Sequence, residues 1–155
     1  MKQTVVLPSG IRFVNPEDCG VLVTMIKALA AYEKLSHLVV ASERDLHQAL
    51  FVEKRVHALI AEHAGVPIGY AFYYEGFSTF LGRPYLVLED LYVDPANRRQ
   101  GYGERFFEAL KCIADDAGYR RIEWRCLDWN TAAMDFYQSL GATVVKDWVT
   151  LRMDR

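Results

Sequence analysis

The stretch YLVLEDLYVDPANRRQGYGERFFEALKCIADDAG, Tyr85 to Gly118, joins an apolar run to an amphipathic run through a turn that contains glycine. The apolar run ends at Val93 and predicts a central strand, because a strand buried on both faces carries few polar residues. Apolar residues then recur at helical spacing as far as Ala117, and Gly118 is a typical helix stop. This strand, turn and helix predict an α/β fold.

The turn between the two elements has the features of an anion site. Arg98-Arg99-Gln100-Gly101-Tyr102-Gly103 leads directly into the helix, whose first N–H groups have no helical partners and whose dipole favours an anion. Gly101 and Gly103 lack the Cβ atoms that would keep a phosphate away from the backbone. The pattern is neither a P-loop nor the dinucleotide fingerprint, since it lacks Gly-Lys-Ser/Thr and a third glycine. The alternative is an ordinary glycine loop with a solvated basic rim.

The segments on either side of this stretch predict one mixed sheet with flanking helices. The signals are helix caps, hydrophobic periodicity and turn residues. In chain order we expect a strand from Thr4 that breaks at Pro8–Gly10 or one that starts at Ile11, a helix capped at Asn15, a helix from Ser42 to about Phe51, a hairpin around Ala64–Pro67, the strand and helix described above, a strand in 120–127, a helix capped by Asn130, and short strands near Ala142–Val145 and Trp148–Met153.

Length and composition exclude several classes of protein. A chain of 155 residues suits one domain with one core, and a net charge of −2 does not suggest a nucleic-acid or membrane-surface partner. The three cysteines are not closely paired and no Cys-x-x-Cys or His-x-x-x-His spacing occurs, so neither a disulfide framework nor a metal site is expected. The start MKQTVVLPSG has no apolar region of a secretory signal and no apolar run is long enough to span a bilayer, so we expect a cytoplasmic location.

Several motifs together resemble one enzyme family. The LEDLYV strand, the R-R-Q-G-Y-G turn and the helix after it resemble motif A of the GNAT family, the Gcn5-related N-acetyltransferases, in which this turn receives the pyrophosphate of acetyl-CoA. DWNTAAMDFYQSLGA, Asp128 to Ala142, resembles motif B of that family. Ile11–Glu33 and Phe77–Val93 are similar to its diamine (spermidine/spermine) acetyltransferase branch.

The resemblance implies a GNAT fold over residues 1–155, with splayed parallel strands that form the acetyl-CoA cleft, and a homodimer. Acetyl-CoA would be the co-substrate, with no metal. A bulge in the LEDLYV strand would expose backbone N–H groups toward the acetyl carbonyl and pantetheine. The residues that the resemblance assigns to acetyl-CoA are Leu91, Tyr92, Val93, Arg98, Arg99, Gln100, Gly101, Tyr102, Gly103, Glu104, Asn130, Ala132, Ala133 and Tyr137.

Acetyl transfer to an amine needs proton transfer at both ends. A primary alkylamine with a pKa of about 10.4 is less than ~0.1% neutral at pH 7, so a carboxylate must accept its proton. Glu89 is the candidate base, and the alternative is that it only pairs with an arginine. On a regular strand Asp90 would face the other way, so the two could not share one task. Tyr137 matches the tyrosine of motif B and is the candidate proton donor to the thiolate, although by periodicity alone it would be a core residue.

The residues on the amine side of the predicted site identify its ligand less specifically than the residues on the acetyl-CoA side. Tyr32, Glu33, Glu89, Asp90, Glu123, Trp124 and Arg125 match positions that contact substrate in the diamine branch. Ser78-Thr79-Phe80 stands where the polyamine enzymes carry an acidic Asp-Pro-Trp element, so the acceptor can be a polyamine, a thialysine-like amino acid or a similar small amine. The alternatives are acetylation of a protein N-terminus or lysine, a non-catalytic CoA-binding regulatory domain, and a plain nucleotide-phosphate binder.

Overall fold

The computed structural model describes residues 5–155, so Thr4 and the residues before it lie outside the described part. A five-stranded sheet has the order β1-β2-β3-β4-β5, with antiparallel pairs from β1 to β4 and a parallel β4–β5 pair. This confirms the mixed α/β fold. The strands are β1 Ile11–Phe13, β2 His57–His63, β3 Val66–Ser78, β4 Arg83–Val93 and β5 Ile122–Trp124, and the helices are α1 Cys19–Tyr32, α2 Glu43–His47, α3 Tyr102–Ala117 and α4 Thr131–Ser139.

The chain forms two compact units, one up to Arg125 and the other from Cys126 to Arg155. The first unit contains the sheet with α1, α2 and α3, and the second contains α4. The expectation of a single domain over residues 1–155 stays a prediction.

Polar contacts fix the start of α1 against the sheet. A 3₁₀ turn at Pro16–Asp18 precedes the helix, and Asn15 N–H donates to Asp18 Oδ2 at 2.6 Å. Arg12 on β1 donates to both carboxylate oxygens of Asp18 at 2.7 and 2.9 Å and to Glu62 Oε1 at 2.6 Å. The hydrogen bonds from Arg12 lower the pKa of Asp18 even though burial opposes them.

The two faces of the sheet carry different helices. One face of the sheet packs against α1 and is called the α1 face below. The core on this face consists of Leu22, Met25, Leu50, Ala58, Ile60, Tyr70, Phe72 and Tyr92. On the other face α3 packs closely, since a Cβ atom at Gly69 would meet the Phe106 ring at 3.3 Å. Burial of apolar side chains on both faces explains why β4 reads as an apolar run.

Two expected elements differ in extent. The β2–β3 turn is only Ala64–Gly65, with φ of 49° and 76°, and Val66 already belongs to β3. Both left-handed residues fit the tight turns that match the twist of a hairpin. The helix expected from Ser42 is short, because α2 ends at His47 and Gln48–Val52 forms a π turn.

The two strands expected near Ala142–Val145 and Trp148–Met153 are wrong, because residues 142–155 form neither helix nor strand. The alternating apolar residues there are exposed, among them Trp148 at 77% and Leu151 at 89%. An alternating pattern becomes a strand only when a neighbouring strand pairs with its backbone, and no such pairing occurs in this described segment.

Candidate active site

A β-bulge interrupts β4, the strand that lies between β3 and β5 in the sheet. Phe72 of β3 is opposite Asp90, whereas the next residue, Tyr73, is opposite Leu88, so Glu89 is the extra residue. The parallel pairing with β5 also ends at this level, at Leu88 and Trp124. Beyond the bulge, β4 stays paired with β3 on one edge, and within residues 5–155 no strand pairs with its other edge. The bulge expected for this strand is therefore present.

The free edge of β4 presents main-chain groups from alternate residues. Asp94 N–H donates to Ile68 O of β3 at 2.7 Å. Because hydrogen-bond direction alternates along a strand, Tyr92 also faces β3, and Leu91 and Val93 direct their N–H groups to the free edge. These two N–H groups can stabilise negative charge on a carbonyl oxygen there. The backbone of Tyr92 is turned away from this edge, unlike those of Leu91 and Val93.

The turn after β4 is shaped to receive an anion. Arg99 and Gly101 have left-handed φ values of 61° and 81°, and for arginine this is a strained conformation of the kind that clusters at functional sites. A Cβ atom at Gly101 would meet nothing within 4 Å. The first helical hydrogen bond is made by Arg105 N–H to Gly101 O at 3.0 Å. The N–H groups of residues 102–104 therefore come before the first hydrogen bond of the helix and point out of its N-terminal end. An anion can approach these groups at the positive end of α3.

Two side chains of α3 hold this turn from inside the fold. Arg105 donates to Gln100 O at 2.9 Å and to Ser9 O at 3.1 Å. Tyr102 is buried, its hydroxyl lies 2.9 Å from His63 Nδ1, and the Arg105 guanidinium lies 4.1 Å from its ring centre. The Tyr102 side chain therefore supports the turn from within. Arg105 was not predicted from the sequence, where it is one more arginine on a helix.

Arg98 connects the turn to the amine side. Its Nε donates to Val93 O at 2.9 Å, and its guanidinium lies 5.2 Å from the centre of the Tyr32 ring at the end of α1. The side chain of Arg98 therefore holds the turn against β4 and α1. Arg99, Gln100 and Glu104 are exposed on the surface of the turn.

The bulge places the two neighbouring carboxylates on the same face of the sheet. Phe72 and Tyr74 share the α1 face, and they are opposite Asp90 and Val87 respectively. Glu89 follows Val87 by two residues and so faces the same side as Asp90. The expectation that Asp90 points away from Glu89 is therefore wrong, because it assumed a regular strand.

Glu89 and Asp90 nevertheless have different surroundings. Burial raises the pKa of Asp90 to about 6, with further contributions from the charges of Glu89 and Glu33, while Tyr70 and Arg125 oppose the shift. Glu89 is exposed, and its Oε1 lies 3.7 Å from Nη2 of Arg125. Burial also raises the pKa of Glu33. The charges of Glu89 and Glu33 thus both act on Asp90, whose raised pKa of about 6 sets it apart from an ordinary aspartate.

The residues predicted on β5 fall on two sides. Arg125 reaches Glu89, and Glu123, on the same side, lies within 3.5 Å of Arg121. The Trp124 ring packs against Phe107 of α3, with 4.9 Å between the ring centres. Trp124 is therefore on the α3 face and is not brought to the carboxylates.

The second unit shows how motif B folds. Asn130 is buried, and its Oδ1 accepts a hydrogen bond from Ala133 N–H at 3.2 Å, so it caps α4. Ala132 and Ala133 form the first turn of this helix, and the Tyr137 ring lies 5.5 Å from the Phe136 ring. The cap is thus observed, and a contact of Asn130 or Tyr137 with acetyl-CoA stays a prediction.

Sequence reasoning also missed Tyr70. It lies in the run GYAFYYE of β3, where nothing in the pattern distinguishes it from a core tyrosine. Only the register with β4 reveals that it shares a face with Asp90. Within residues 5–155 no group of three or more His, Cys, Asp or Glu residues could hold a metal ion. None of the described helices has the length and apolar character needed to cross a bilayer.

Comparisons with known proteins concern the family and the fold. The model of the acetyltransferase (GNAT) family matches residues 22–142. A thialysine N-epsilon-acetyltransferase of Bos taurus is 38% identical and covers 93% of this chain and 91% of its own length. An L-ornithine N5-acetyltransferase of Arabidopsis thaliana is 25% identical, with coverage of 94% and 84%. The solved structure of an integron cassette protein from V. cholerae superposes with a TM-score of 0.77 at 25% identity, covering 94% of this chain and 91% of that chain.

Proposed function

Because the chain belongs to the GNAT acetyltransferase family, we propose that it transfers the acetyl group of acetyl-CoA to the side-chain amine of a small cationic amino acid. At the coarser level it is an N-acetyltransferase of small-molecule amines. The observation that carries the proposal is the bulge in β4, since it frees the edge at Leu91 and Val93 and turns Glu89 and Asp90 to one face.

Two observations support an amino acid over a polyamine as the acceptor. The relatives named above act on thialysine and on L-ornithine, which are both amino acids with a terminal amine. In addition, Ser78-Thr79-Phe80 at the β3–β4 connection supplies no carboxylate, and Ser78 Oγ accepts a local hydrogen bond from Leu81 N–H at 3.3 Å. A polyamine would therefore have one carboxylate fewer to bind its positive charges at this connection than in the polyamine enzymes.

The carboxylates at the bulge would bind and deprotonate the acceptor. Glu33, Glu89 and Asp90 attract the ammonium group, and Glu89 accepts its proton, which leaves a neutral amine and a protonated carboxyl group. Acetyl-CoA supplies the thioester carbonyl with which this amine forms the amide bond as the carbon–sulfur bond breaks. The N–H groups of Leu91 and Val93 stabilise the negative charge that develops on an oxygen at the free edge.

The remaining assignments concern the coenzyme. The backbone N–H groups around Gly101 bind the pyrophosphate. Tyr137 donates its hydroxyl proton to the departing thiolate and regains a proton from the acylated nitrogen, which must lose one to become an amide. For Tyr137 the support is motif B and the chemistry of a phenol beside a thiol, whose ordinary pKa values are about 10 and about 8.5. We also propose a homodimer, on the resemblance to the diamine branch, and a cytoplasmic location, because three cysteines without close pairing suit a reducing compartment. Sedimentation velocity that finds only monomer would refute the dimer.

A substrate panel tests the proposed function. Thialysine, lysine, ornithine, putrescine and spermidine are compared by thiol release from acetyl-CoA, with mass spectrometry to locate the acetyl group. We expect kcat/KM for thialysine or another diamino acid to exceed that for spermidine at least about tenfold, which corresponds to the loss of one favourable charge contact. A preference for spermidine would contradict the amino-acid assignment. If only peptides accept the acetyl group, or no acceptor does, protein acetylation or a non-catalytic CoA-binding role takes its place.

A further inference from the structure

Tyr70 carries a buried hydroxyl that core packing does not explain. Its side chain is fully buried on β3, and its ring centre lies 5.6 Å from that of Phe72 and 6.0 Å from that of Tyr92. Within residues 5–155 the hydroxyl makes no hydrogen bond in normal geometry, although it lies close enough to Asp90 to favour the charged form of that carboxylate. A buried polar group of this kind costs about 1–3 kcal/mol of stability, and phenylalanine would avoid that cost. A ligand that uses the hydroxyl would account for its presence, and binding of that ligand must open the packing over the hydroxyl, because solvent does not reach it in the free protein.

The surroundings of this hydroxyl are those of the amine site. Tyr70 is opposite Tyr92, and Asp90 precedes Tyr92 by two residues on the same α1 face. Burial raises the pKa of Tyr70 well above its usual range, and the charges of Asp90 and Glu33 raise it further. The hydroxyl in turn favours the charged form of Asp90. The phenol is therefore next to the bulge carboxylates, with its polar atom on their side of the sheet.

We propose that Tyr70 and Asp90 form a two-point receptor for the reacting amine, in which Tyr70 Oη and the Asp90 carboxylate each accept one of its N–H groups. The inference rests on the proposed function and adds to it a residue that selects the acceptor. A primary ammonium has three N–H donors, so two contacts leave the third for Glu89, the proposed base. The Tyr70 O–H can at the same time donate to Asp90.

A two-point receptor restricts which amines react. Holding the nitrogen at two fixed acceptors fixes the direction of its lone pair once Glu89 has taken the proton, and such orientation accelerates a bimolecular step. An amine with one or more N–H groups replaced by alkyl groups loses a contact and leaves a buried acceptor unpaired. The receptor therefore selects primary amines over N-alkylated ones.

Amine binding by this receptor should depend on pH, because it requires the charged form of Asp90. Its carboxylate faces Glu89 on its own strand, Glu33 after α1, Tyr70 on β3 and Arg125 after β5. Glu89 and Glu33 disfavour its charged form, whereas Tyr70 and Arg125 favour it. Removing the Tyr70 hydroxyl removes one of the two favourable groups. The acid limb of kcat/KM for the amine then moves to higher pH.

The test compares Tyr70→Phe with Tyr73→Phe, a matched control that removes a buried hydroxyl of the same strand on the opposite face. For Tyr70→Phe we expect KM for the amine to rise at least about tenfold, as for loss of a hydrogen bond to a charged group. KM for acetyl-CoA should stay within about twofold of wild type, because a group on the amine side does not touch the coenzyme. The acid limb should move up in pH, and Tm should not fall, because an unpaired hydroxyl is lost. Tyr73→Phe should leave KM for the amine and the pH profile unchanged.

A second variant covers the case in which Tyr70→Phe folds poorly. Asp90→Asn keeps the size of the side chain and removes the charge, so it should raise KM for primary amines and move the acid limb to lower pH, because the carboxyl group with the raised pKa is gone and Glu89 still has to be ionised. The double variant should lose less than the sum of the single losses, because both groups bind the same nitrogen. Unchanged KM and pH profile in Tyr70→Phe, or strictly additive losses, would overturn the receptor. If wild type acetylates no amine of the panel, the proposed function fails instead, and the two failures are distinguishable.

Discussion

At the scale of single residues, Gly101 shows how a backbone conformation is tied to a ligand. Its φ of 81° lies in the left-handed region, and the position of a Cβ atom on it is open surface. Any other residue there pays a backbone cost of roughly 1 kcal/mol and places a carbon atom where a phosphate would approach. The same backbone cost arises at Gly65, with φ of 76° and equally open surroundings, far from the turn in sequence.

Gly101→Ala should therefore weaken acetyl-CoA binding at least about tenfold, while it lowers stability by only about 1 kcal/mol. Calorimetric titration measures the first effect and urea unfolding the second. Gly65→Ala is the control, with a similar loss of stability and unchanged binding. Equal affinity in both variants would show that the pyrophosphate is bound elsewhere.

Tyr137→Phe tests the proposed proton donor. Because general acid catalysis contributes about 10²–10⁴-fold, turnover should fall at least about tenfold. Acetyl-CoA affinity should be kept, since the ring remains. Tyr119→Phe, which removes a hydroxyl that donates to Glu75 in the first unit, should leave turnover unchanged. Full turnover in the Tyr137 variant would favour a passive role for this residue or a coenzyme-binding protein without catalysis.

At the scale of elements, the contact between Arg12 and Asp18 joins the start of α1 to β1. Asp18 has a depressed pKa, so its stabilising contribution is complete above the unfolded pKa of about 3.9 and is lost as the pH falls through the lower folded pKa. The end of the same helix carries Tyr32 and Glu33, which belong to the proposed amine site. The same helix α1 therefore joins the polar contacts around Asp18 to residues of the proposed amine site.

Asp18→Asn should lower the free energy of unfolding by about 1–3 kcal/mol at pH 7, because the buried contacts of Arg12 lose a charged partner. Urea unfolding at pH 7, 5 and 3 should show a constant difference from wild type at the two higher values and a smaller one at pH 3. Asp147→Asn, at an exposed position, serves as the control and should differ little at any pH. A difference that grows on acidification would contradict this account.

At the scale of the whole molecule, binding of acetyl-CoA should appear as thermal stabilisation. A ligand present at about one hundred times its Kd adds about 2.7 kcal/mol, and for a chain of this size each kcal/mol raises Tm by about 2–4 °C. Acetyl-CoA and CoA should therefore raise Tm by at least about 5 °C under these conditions. ATP and NAD at the same concentration should have a much smaller effect. A larger shift with either nucleotide would favour the nucleotide-phosphate binder.

Much of the fold could be predicted from local signals. The apolar run before Val93, the helix stop at Gly118 and the cap at Asn130 each act within a few residues, and all three are present in the structure. The strands expected after Ala142 failed, because alternation of side chains says nothing about whether a partner strand is available. The length of β5, only Ile122–Trp124, likewise could not be predicted, because it depends on how far β4 stays paired with it.

The sequence by itself determined the order of strands and helices as far as α4, the glycine-bearing turn before α3 and the family resemblance, because these depend on residue types at short, fixed spacings. Only the tertiary structure decided that Glu89 is an extra residue in β4, that it therefore shares a face with Asp90, and that Tyr70 lies beside them. The physical reason is that a bulge is a property of two paired strands. One strand alone cannot show which of its residues is left without a partner, and so it cannot show where its side chains point.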